Sequence, residues 1–523
     1  MSVQETTTTV TTVINGSPDA GSPVQIFESR NPANLEEIVA EIHLGDAEAF
    51  ARACRAAREG QPPWAAVPAP VRGEVVASVA HLVRENKSEL AAYITREIGK
   101  TTVEAVGEVQ EVIDTCEFYL GEGRRLYGMT VPSEMPNKRL MTFRLPLGVA
   151  AIITAGNYPT AVPSWYLVPA LLCGNAVVWK PAEYAAATAR AMTELFWRAG
   201  VPVEALQLVQ ADGESTFQGL ELALDEGAVD KVGFTGSTEV GRRIGALCGA
   251  HLQSPCLELG GKNPLVVMDD ADLDLAVEGA LFSGFGTAGQ RCTSLGTVIV
   301  DEAVHDEFLR RFVLATERAS IGDPTEDVLY GPMMDERFVE RFEHRWLGLI
   351  RDHHRVHGSQ GVGRITADNP RRGFVGENPE RGLFVHPTVV SGVRADDELA
   401  NTETFGPIVG VAGFGDWEEA LALATGHGYG LSAAIYTENP RAAFRFHEAV
   451  NSGMVSINNS TSGAEAHLPF GGNGKSGNGS RQSGVWVLDQ FTRWQAVNWD
   501  YAGQLQRAQM DVAQVEADRD FRL

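Results

Sequence analysis

Leu147-Gly-Val-Ala-Ala-Ile-Ile-Thr-Ala155 and, a little further on, Asn175-Ala-Val-Val-Trp179 are the runs that decide the fold. Each is short, apolar and rich in Val or Ile, the pattern of a strand buried on both faces. Between them Pro163 to Leu172 reads as a helix, and Leu206 to Gln210 and Lys231 to Phe234 repeat the strand pattern. Strand–helix–strand alternation predicts an α/β fold with a parallel, doubly wound sheet. Upstream, Ala47 to Arg58, Val71 to Lys87, Ser88 to Ile98 and Val103 to Tyr127 carry helical spacing. A second α/β block begins near Pro264 and runs to about Phe470. Its expected strands are Leu265 to Met268, Gly296 to Val300, Ile408 to Phe414, Ser432 to Tyr436 and Met454 to Ile457.

At 523 residues the chain suffices for two or three domains. With 44% hydrophobic and 21% charged residues it is neither disordered nor a coiled coil. The net charge of −25 disfavours nucleic acid and anionic lipid as partners. Six cysteines without a CxxC pair suit free thiols in a reducing compartment. The longest apolar stretch, Ser164 to Trp179, is broken by Pro169, Gly174 and Asn175, so no membrane span is expected. The first 25 residues hold no Lys or Arg, which fits neither a secretory nor a transit signal. A cytoplasmic protein is the expectation. The Thr-rich residues 1–26 read as a loose tail. Leu505, Ala508, Val512 and Val515 in the 501–523 extension form one helical stripe, either a frayed surface helix or a docking arm.

Five cysteines sit in apolar or helical contexts, whereas Cys292 lies in Gly286-Thr-Ala-Gly-Gln-Arg-Cys-Thr-Ser294. The adjacent Arg291 is expected to lower its thiol pKa, and the thiolate is the nucleophilic form. Taken alone, that reading is weaker than the bland one of an ordinary loop cysteine. Glu258, between leucines just before Gly260-Gly261, is a general-base candidate whose pKa apolar neighbours would raise. For one isolated Glu, an exposed charge at a strand end is the commoner outcome. Val232-Gly-Phe-Thr-Gly-Ser-Thr-Glu-Val-Gly241 runs from an apolar strand through a Gly-rich turn into a capped helix, a cradle for pyrophosphate. Asn157 follows the Leu147–Ala155 run and could donate to an oxyanion. Lys180 and Glu183 stand at the carboxyl end of another strand, the edge where such sheets grip nucleotide riboses. His353, His354 and His357 suggest a metal, but RDHHRVH supplies no Cys or carboxylate at useful spacing; a solvated helix face is expected, and no metal.

In order, ITAGNYP, VVWKPAE, GFTGSTEVG, LELGGKNP, GTAGQRCTS, NTETFGPI and PFGGNGKSG resemble the NAD(P)-dependent aldehyde dehydrogenase superfamily, over roughly Phe27 to Trp499. The resemblance implies a doubly wound cofactor domain (27–127 and 147–260) and an α/β catalytic domain (261–470). It adds a β-flap for oligomerisation (128–146 and 485–500) that would make a homodimer or homotetramer. It implies that Cys292 attacks a small-molecule aldehyde to form a thiohemiacetal. Asn157 and the Cys292 N–H would hold the oxyanion, and Glu258 would activate water against the thioester that follows. The cofactor would be NAD, with NADP possible, contacted by Thr154, Lys180, Glu183, Gly213, Phe234, Gly236, Ser237, Leu259, Glu403 and Phe405. Glu183 would favour NAD by repelling a 2′-phosphate. Ala155-Gly156 departs from the family's usual Pro-Trp before Asn157, which bears on pocket shape.

Gly107-Glu-Val-Gln-Glu111, TAGQRCT, NTETFGPI and Thr461-Ser-Gly-Ala-Glu465 resemble the antiquitin-like branch, which oxidises α-aminoadipic semialdehyde. There Glu111, Arg291 and the loop Ser462, Gly463 and Ala464 would hold the amino-acid end. Glu104, Glu108, Glu111 and Asp114 equally fit a solvated acidic stripe, which leaves a broad-range aldehyde dehydrogenase as the alternative. A CoA-acylating or phosphorylating semialdehyde dehydrogenase would not need Glu258, and intact Cys292, Glu258 and Asn157 argue against a retired structural protein on the same fold.

Overall fold

The computed structural model describes residues 8–358, 360–512 and 515–523. The first large sheet has seven strands, in the order Cys256–Glu258, Lys231–Thr235, Val149–Ile153, Ala176–Lys180, Leu206–Leu208, Val13–Ile14 and Ser17–Pro18. The first five are parallel. Val149–Ile153, Ala176–Lys180 and Lys231–Thr235 are buried at every residue, as uninterrupted apolar runs require when helices cover both faces. The helix Ala161–Leu172, apolar all round, is likewise wholly buried. From Val149–Ile153 the chain builds outward to Ala176–Lys180 and Leu206–Leu208, then returns to lay Lys231–Thr235 on the other side. That reversal opens a crevice at the carboxyl ends of Val149–Ile153 and Lys231–Thr235, the place where doubly wound sheets take ligands.

A second seven-stranded sheet runs Arg355–His357, Thr388–Ser391, Ile408–Phe414, Leu295–Asp301, Asn263–Val267, Ser432–Tyr436 and Met454–Ile457. All its pairs are parallel except the first. The link between the sheets is Leu259–Lys262, so the residues that join the two cores also line the gap between them. Lys138–Pro146 pairs antiparallel with Thr492–Asp500 along its whole length, with Thr130–Val131 on its other edge. Phe143, Trp494 and Trp499 are exposed on this small sheet.

Several expectations fail. Residues 8–26 are no loose tail: Thr8–Thr11 pairs with Asn34–Leu44, and Val13–Ile14 extends the first large sheet beside Leu208. Thr and Val are β-branched and suit extended backbone, and Val10 and Val13 are buried. Among the described residues of 501–523 there is no helix; Leu505, Ala508 and Val515 are exposed, so the stripe does not form. Helical spacing with little to pack against does not make a helix. His353 and His354 lie in a turn and His357 on an edge strand, not on a helix face. The helix beginning at Ala47 extends to Ala66, past Pro62 and Pro63, and the helix beginning at Thr102 stops at Glu122, short of Tyr127.

Candidate active site

Cys292 follows the helix Leu273–Phe285 through the tight turn Gly286–Gly289. Thr287 and Ala288 both adopt φ +53°, a left-handed backbone that non-glycine residues reach at a cost, often beside functional groups. Cys292 is half-buried, whereas the other five cysteines are buried and free. Its carbonyl accepts from Asn263 Nδ2 at 2.9 Å, and the same amide donates to the Ser294 carbonyl at 2.8 Å. Asn263 Oδ1 accepts the Ser432 N–H at 3.0 Å, so one side chain ties the cysteine loop to the second sheet. A Cβ on Gly261 would fall 2.4 Å from the Cys292 carbonyl oxygen, an approach only glycine permits. Asn157 Nδ2 donates to the Gln290 carbonyl at 2.8 Å, which brings Asn157 to the cysteine loop and leaves a second N–H on that nitrogen.

Glu258 ends its strand, paired with Thr235, and its carbonyl accepts the Gly236 N–H at 3.1 Å. The carboxylate takes one hydrogen bond, from the Gly472 N–H to Oε2 at 3.1 Å; Oε1 is buried without a partner among the described residues. Burial drives its pKa well above the ordinary carboxylate value. Burial, then Glu258, then Glu403 push the Cys292 thiol upward as well. Arg291 acts electrostatically on Cys292, as expected, but burial and the two carboxyls outweigh it and the net shift is upward. Its guanidinium turns to Glu104 at 2.6 Å, donates to Thr287 Oγ1 at 3.1 Å and lies over the Phe282 ring.

The crevice edge carries the residues expected at a cofactor. Thr154 Oγ1 accepts the Trp179 indole N–H at 3.0 Å. Ser237 caps the helix Thr238–Ala250, and Gly213 opens the helix Gly213–Asp225 with free space where a Cβ would be. Phe234 packs on Gly236, and Leu259 on Gly241. Lys180 Nζ lies 3.9 Å from Glu183. Burial opposes ionisation of Glu183, but Lys180 and Arg337 outweigh it and hold the carboxyl below its ordinary range. Glu403 Oε1 accepts the Gly261 N–H at 3.1 Å, and burial raises its pKa to about 7. Phe405, at φ +41°, packs against Phe338 with the rings tilted by 42°. A helix N-terminus, a cation with a carboxylate on the same edge and a second carboxyl across the gap suit a dinucleotide. Residues 180, 183, 237 and 403 would hold it.

The helix Thr102–Glu122 forms a third wall. Lys100 and Glu108 make a fully buried ion pair at 2.6 Å, with the Lys100 ammonium over the Tyr158 ring. Glu108 also accepts from the Thr160 N–H, the Thr160 hydroxyl and the Ala161 N–H. Burial, then the Glu108 charge, raise the Glu111 pKa to about 8, and its Oε1 has no partner among the described residues. Of the acidic stripe only Asp114 is exposed, so the solvated reading does not hold. Ser462 Oγ accepts from Thr293 Oγ1 at 3.3 Å, and Ala464 packs into the cluster that holds Cys292 and Tyr158. Gly463 has φ +133°, and a Cβ there would meet nothing within 4 Å, which leaves that loop open on one side.

Sequence reading missed Asn263, Glu104, Lys100 and Arg337. Asn263 was visible inside LELGGKNP, whereas pairings such as Arg337 with Glu183, 154 residues apart, leave no local signal. His353 and His354 Nε2 both approach Asp397, at 3.1 and 2.9 Å. His354 Nδ1 accepts the Arg351 N–H, so its Nε2 carries the proton and donates to Asp397. Asp397 supplies the carboxylate that RDHHRVH lacks, and the three groups lie close enough together to hold a cation.

The profile described as "Aldehyde dehydrogenase family" matches residues 19–497. The chain is 34% identical over 493 residues to alpha-ketoglutaric semialdehyde dehydrogenase of Bacillus subtilis, covering 94% of this chain and 98% of the relative. It is 35% identical over 504 residues to alpha-aminoadipic semialdehyde dehydrogenase of Bos taurus, covering 95% and 89%. The structure is similar to betaine aldehyde dehydrogenase of Staphylococcus aureus in complex with NAD+, with a TM-score of 0.87, 27% identity and coverage of 95% and 96%.

Proposed function

We propose, from the premise that this chain belongs to the aldehyde dehydrogenase family and is an NAD(P)-dependent oxidoreductase acting on an aldehyde, that Cys292, Glu258 and Asn157 carry its chemistry. The observation behind this is their convergence: the least buried thiol lies close enough to a buried, half-partnered carboxyl for that carboxyl's charge to act on it, and Asn157 is bonded to the cysteine loop at Gln290. Cys292 Sγ gives its proton to solvent water and, as thiolate, bonds to the aldehyde carbon while the carbonyl π pair moves to oxygen. The spare N–H of Asn157 and the Cys292 N–H receive the oxyanion. The nicotinamide, when bound, supplies the hydride acceptor. Glu258, with its pKa raised by burial, takes a proton from water as that water attacks the thioester, and Cys292 leaves as thiolate. In this reading residues 27–127 and 147–260 bind cofactor, and 261–470 carry the cysteine.

For the substrate we read an amino-acid semialdehyde, held at its charged end by the Glu111, Arg291 and Ser462–Ala464 side of the site. The two relatives' names support a semialdehyde with a remote carboxylate. Glu111 is the group with hydrogen-bonding capacity to spare. One observation favours an α-keto end instead: burial raises the Glu111 pKa to about 8, and a protonated carboxyl there can donate a hydrogen bond to a keto oxygen. Glu111→Gln separates the two, since Gln keeps a donor for a keto oxygen and loses the anion an ammonium needs. Steady-state kinetics on α-aminoadipic, α-ketoglutaric and hexanal aldehydes test the whole reading. Hexanal as the best substrate would leave a broad-range enzyme, and NADH formation by Cys292→Ala would remove the mechanism. The exposed Trp494, Trp499 and Phe143 support a homodimer or homotetramer through the flap, measurable by sedimentation. Six free thiols support a cytoplasmic location.

A further inference from the structure

Glu183 alone would repel a cofactor bearing a 2′-phosphate, but in this structure it is not alone. Arg337, from the helix Glu336–Arg341, reaches across from the second sheet's side and donates Nη1 to Glu183 Oε1 at 2.9 Å. Arg337 does not reach out as a loose chain. Its Nε donates to Asp335 Oδ1 at 2.7 Å and its Nη2 to Asp335 Oδ2 at 3.2 Å, a two-pronged grip on one edge of the guanidinium. The group also lies over the Tyr184 ring, 5.5 Å from its centroid. Held there, Arg337 presents its remaining edge toward Glu183, at the mouth of the crevice, while Lys180 approaches the same carboxylate from the strand end. Two cations therefore converge on one carboxylate at the ribose position. The Arg337 side chain is half exposed, so an incoming anion can reach it.

We infer that Arg337 makes the site tolerant of a 2′-phosphate: it offsets the charge of Glu183, and offers its guanidinium to the phosphate when Glu183 swings aside. A planar guanidinium already anchored by Asp335 suits bidentate capture of a phosphate. The inference rests on reading Lys180 and Glu183 as the ribose contacts.

The test is equilibrium binding of NAD and NADP to the intact enzyme, followed by calorimetry, for wild type, Arg337→Gln, Arg337→Lys and Glu183→Gln. Wild type is expected to bind NADP within about tenfold of NAD. Arg337→Gln should weaken NADP about tenfold more than NAD, the worth of one charge-assisted contact. Arg337→Lys should recover part of that difference, and Glu183→Gln should shift preference toward NADP. Equal effects of Arg337→Gln on both dinucleotides, or wild-type discrimination against NADP beyond a thousandfold, would overturn the inference. Lys180→Ala reports separately on the ribose reading. Weaker binding of both dinucleotides supports it; undiminished binding of both overturns it, and the inference with it.

Discussion

Replacing Glu111 by Gln is expected to stabilise the protein, and increasingly so as pH rises. Burial, then the Glu108 charge, move the Glu111 carboxyl from its ordinary 4.5 to about 8. The unfolded chain ionises near the ordinary value, so between those limits the folded state holds a proton the unfolded state has lost. The stability this group contributes is therefore full below the lower value, declines through the interval and is gone above the upper one. At roughly 1.4 kcal/mol per pH unit, the loss reaches about 2 kcal/mol near pH 6 and about 4 kcal/mol near pH 8. Gln ionises in neither state and escapes that loss, while filling nearly the same volume. Equilibrium urea unfolding of both proteins across this pH range, with matched slopes, measures the difference directly. A stability gap that stays flat with pH, or widens toward acid, would refute the reasoning.

Alkylation of Cys292 by iodoacetamide should accelerate through the alkaline range, because its thiol is pushed upward, and Glu258→Gln should move that profile toward acid by removing a nearby negative charge. An identical profile in the variant would place the carboxyl's charge elsewhere. Asn263→Ala should lower kcat by on the order of tenfold to a hundredfold, since a loosened nucleophile loop misplaces the attacking atom; steady-state rates with unchanged circular dichroism check it. Glu108→Gln strands the buried Lys100 ammonium and should cost about 3–5 kcal/mol in urea unfolding. Deleting residues 503–523 should change stability by no more than about 0.5 kcal/mol, and an altered sedimentation coefficient would instead restore a docking role to that tail.

Most strands of both large sheets were legible because burial on both faces leaves uninterrupted Val and Ile runs such as Val149–Ile153 and Ile408–Phe414. The four-residue Thr388–Ser391 and the edge strand Arg355–His357 were too short to read. The Gly-Gly pair after Glu258 was legible as a turn, though not that Gly261 faces the Cys292 carbonyl, which depends on how the sheets meet. The N-terminal strands were not, since Thr8–Thr11 buries one valine and gains the rest of its stability from pairing with a distant partner. Charge reasoning along the chain caught only part of Arg291: it acts electrostatically on Cys292, but adjacency says nothing about where a long side chain points, and its ion pair is with Glu104. The same limit turned Glu104, Glu108 and Glu111 into an apparent surface stripe, when each faces inward to a partner or a pocket wall.

The central claim is that one thiol takes the acyl group and one carboxyl releases it. Rapid mixing of Glu258→Gln with NAD and a semialdehyde, followed at the NADH absorbance, tests it most directly. The account predicts a burst approaching one NADH per active site and then a stall, with the acyl group recoverable as a thioester on Cys292. Steady turnover at the wild-type rate, with no acylated Cys292, would contradict it.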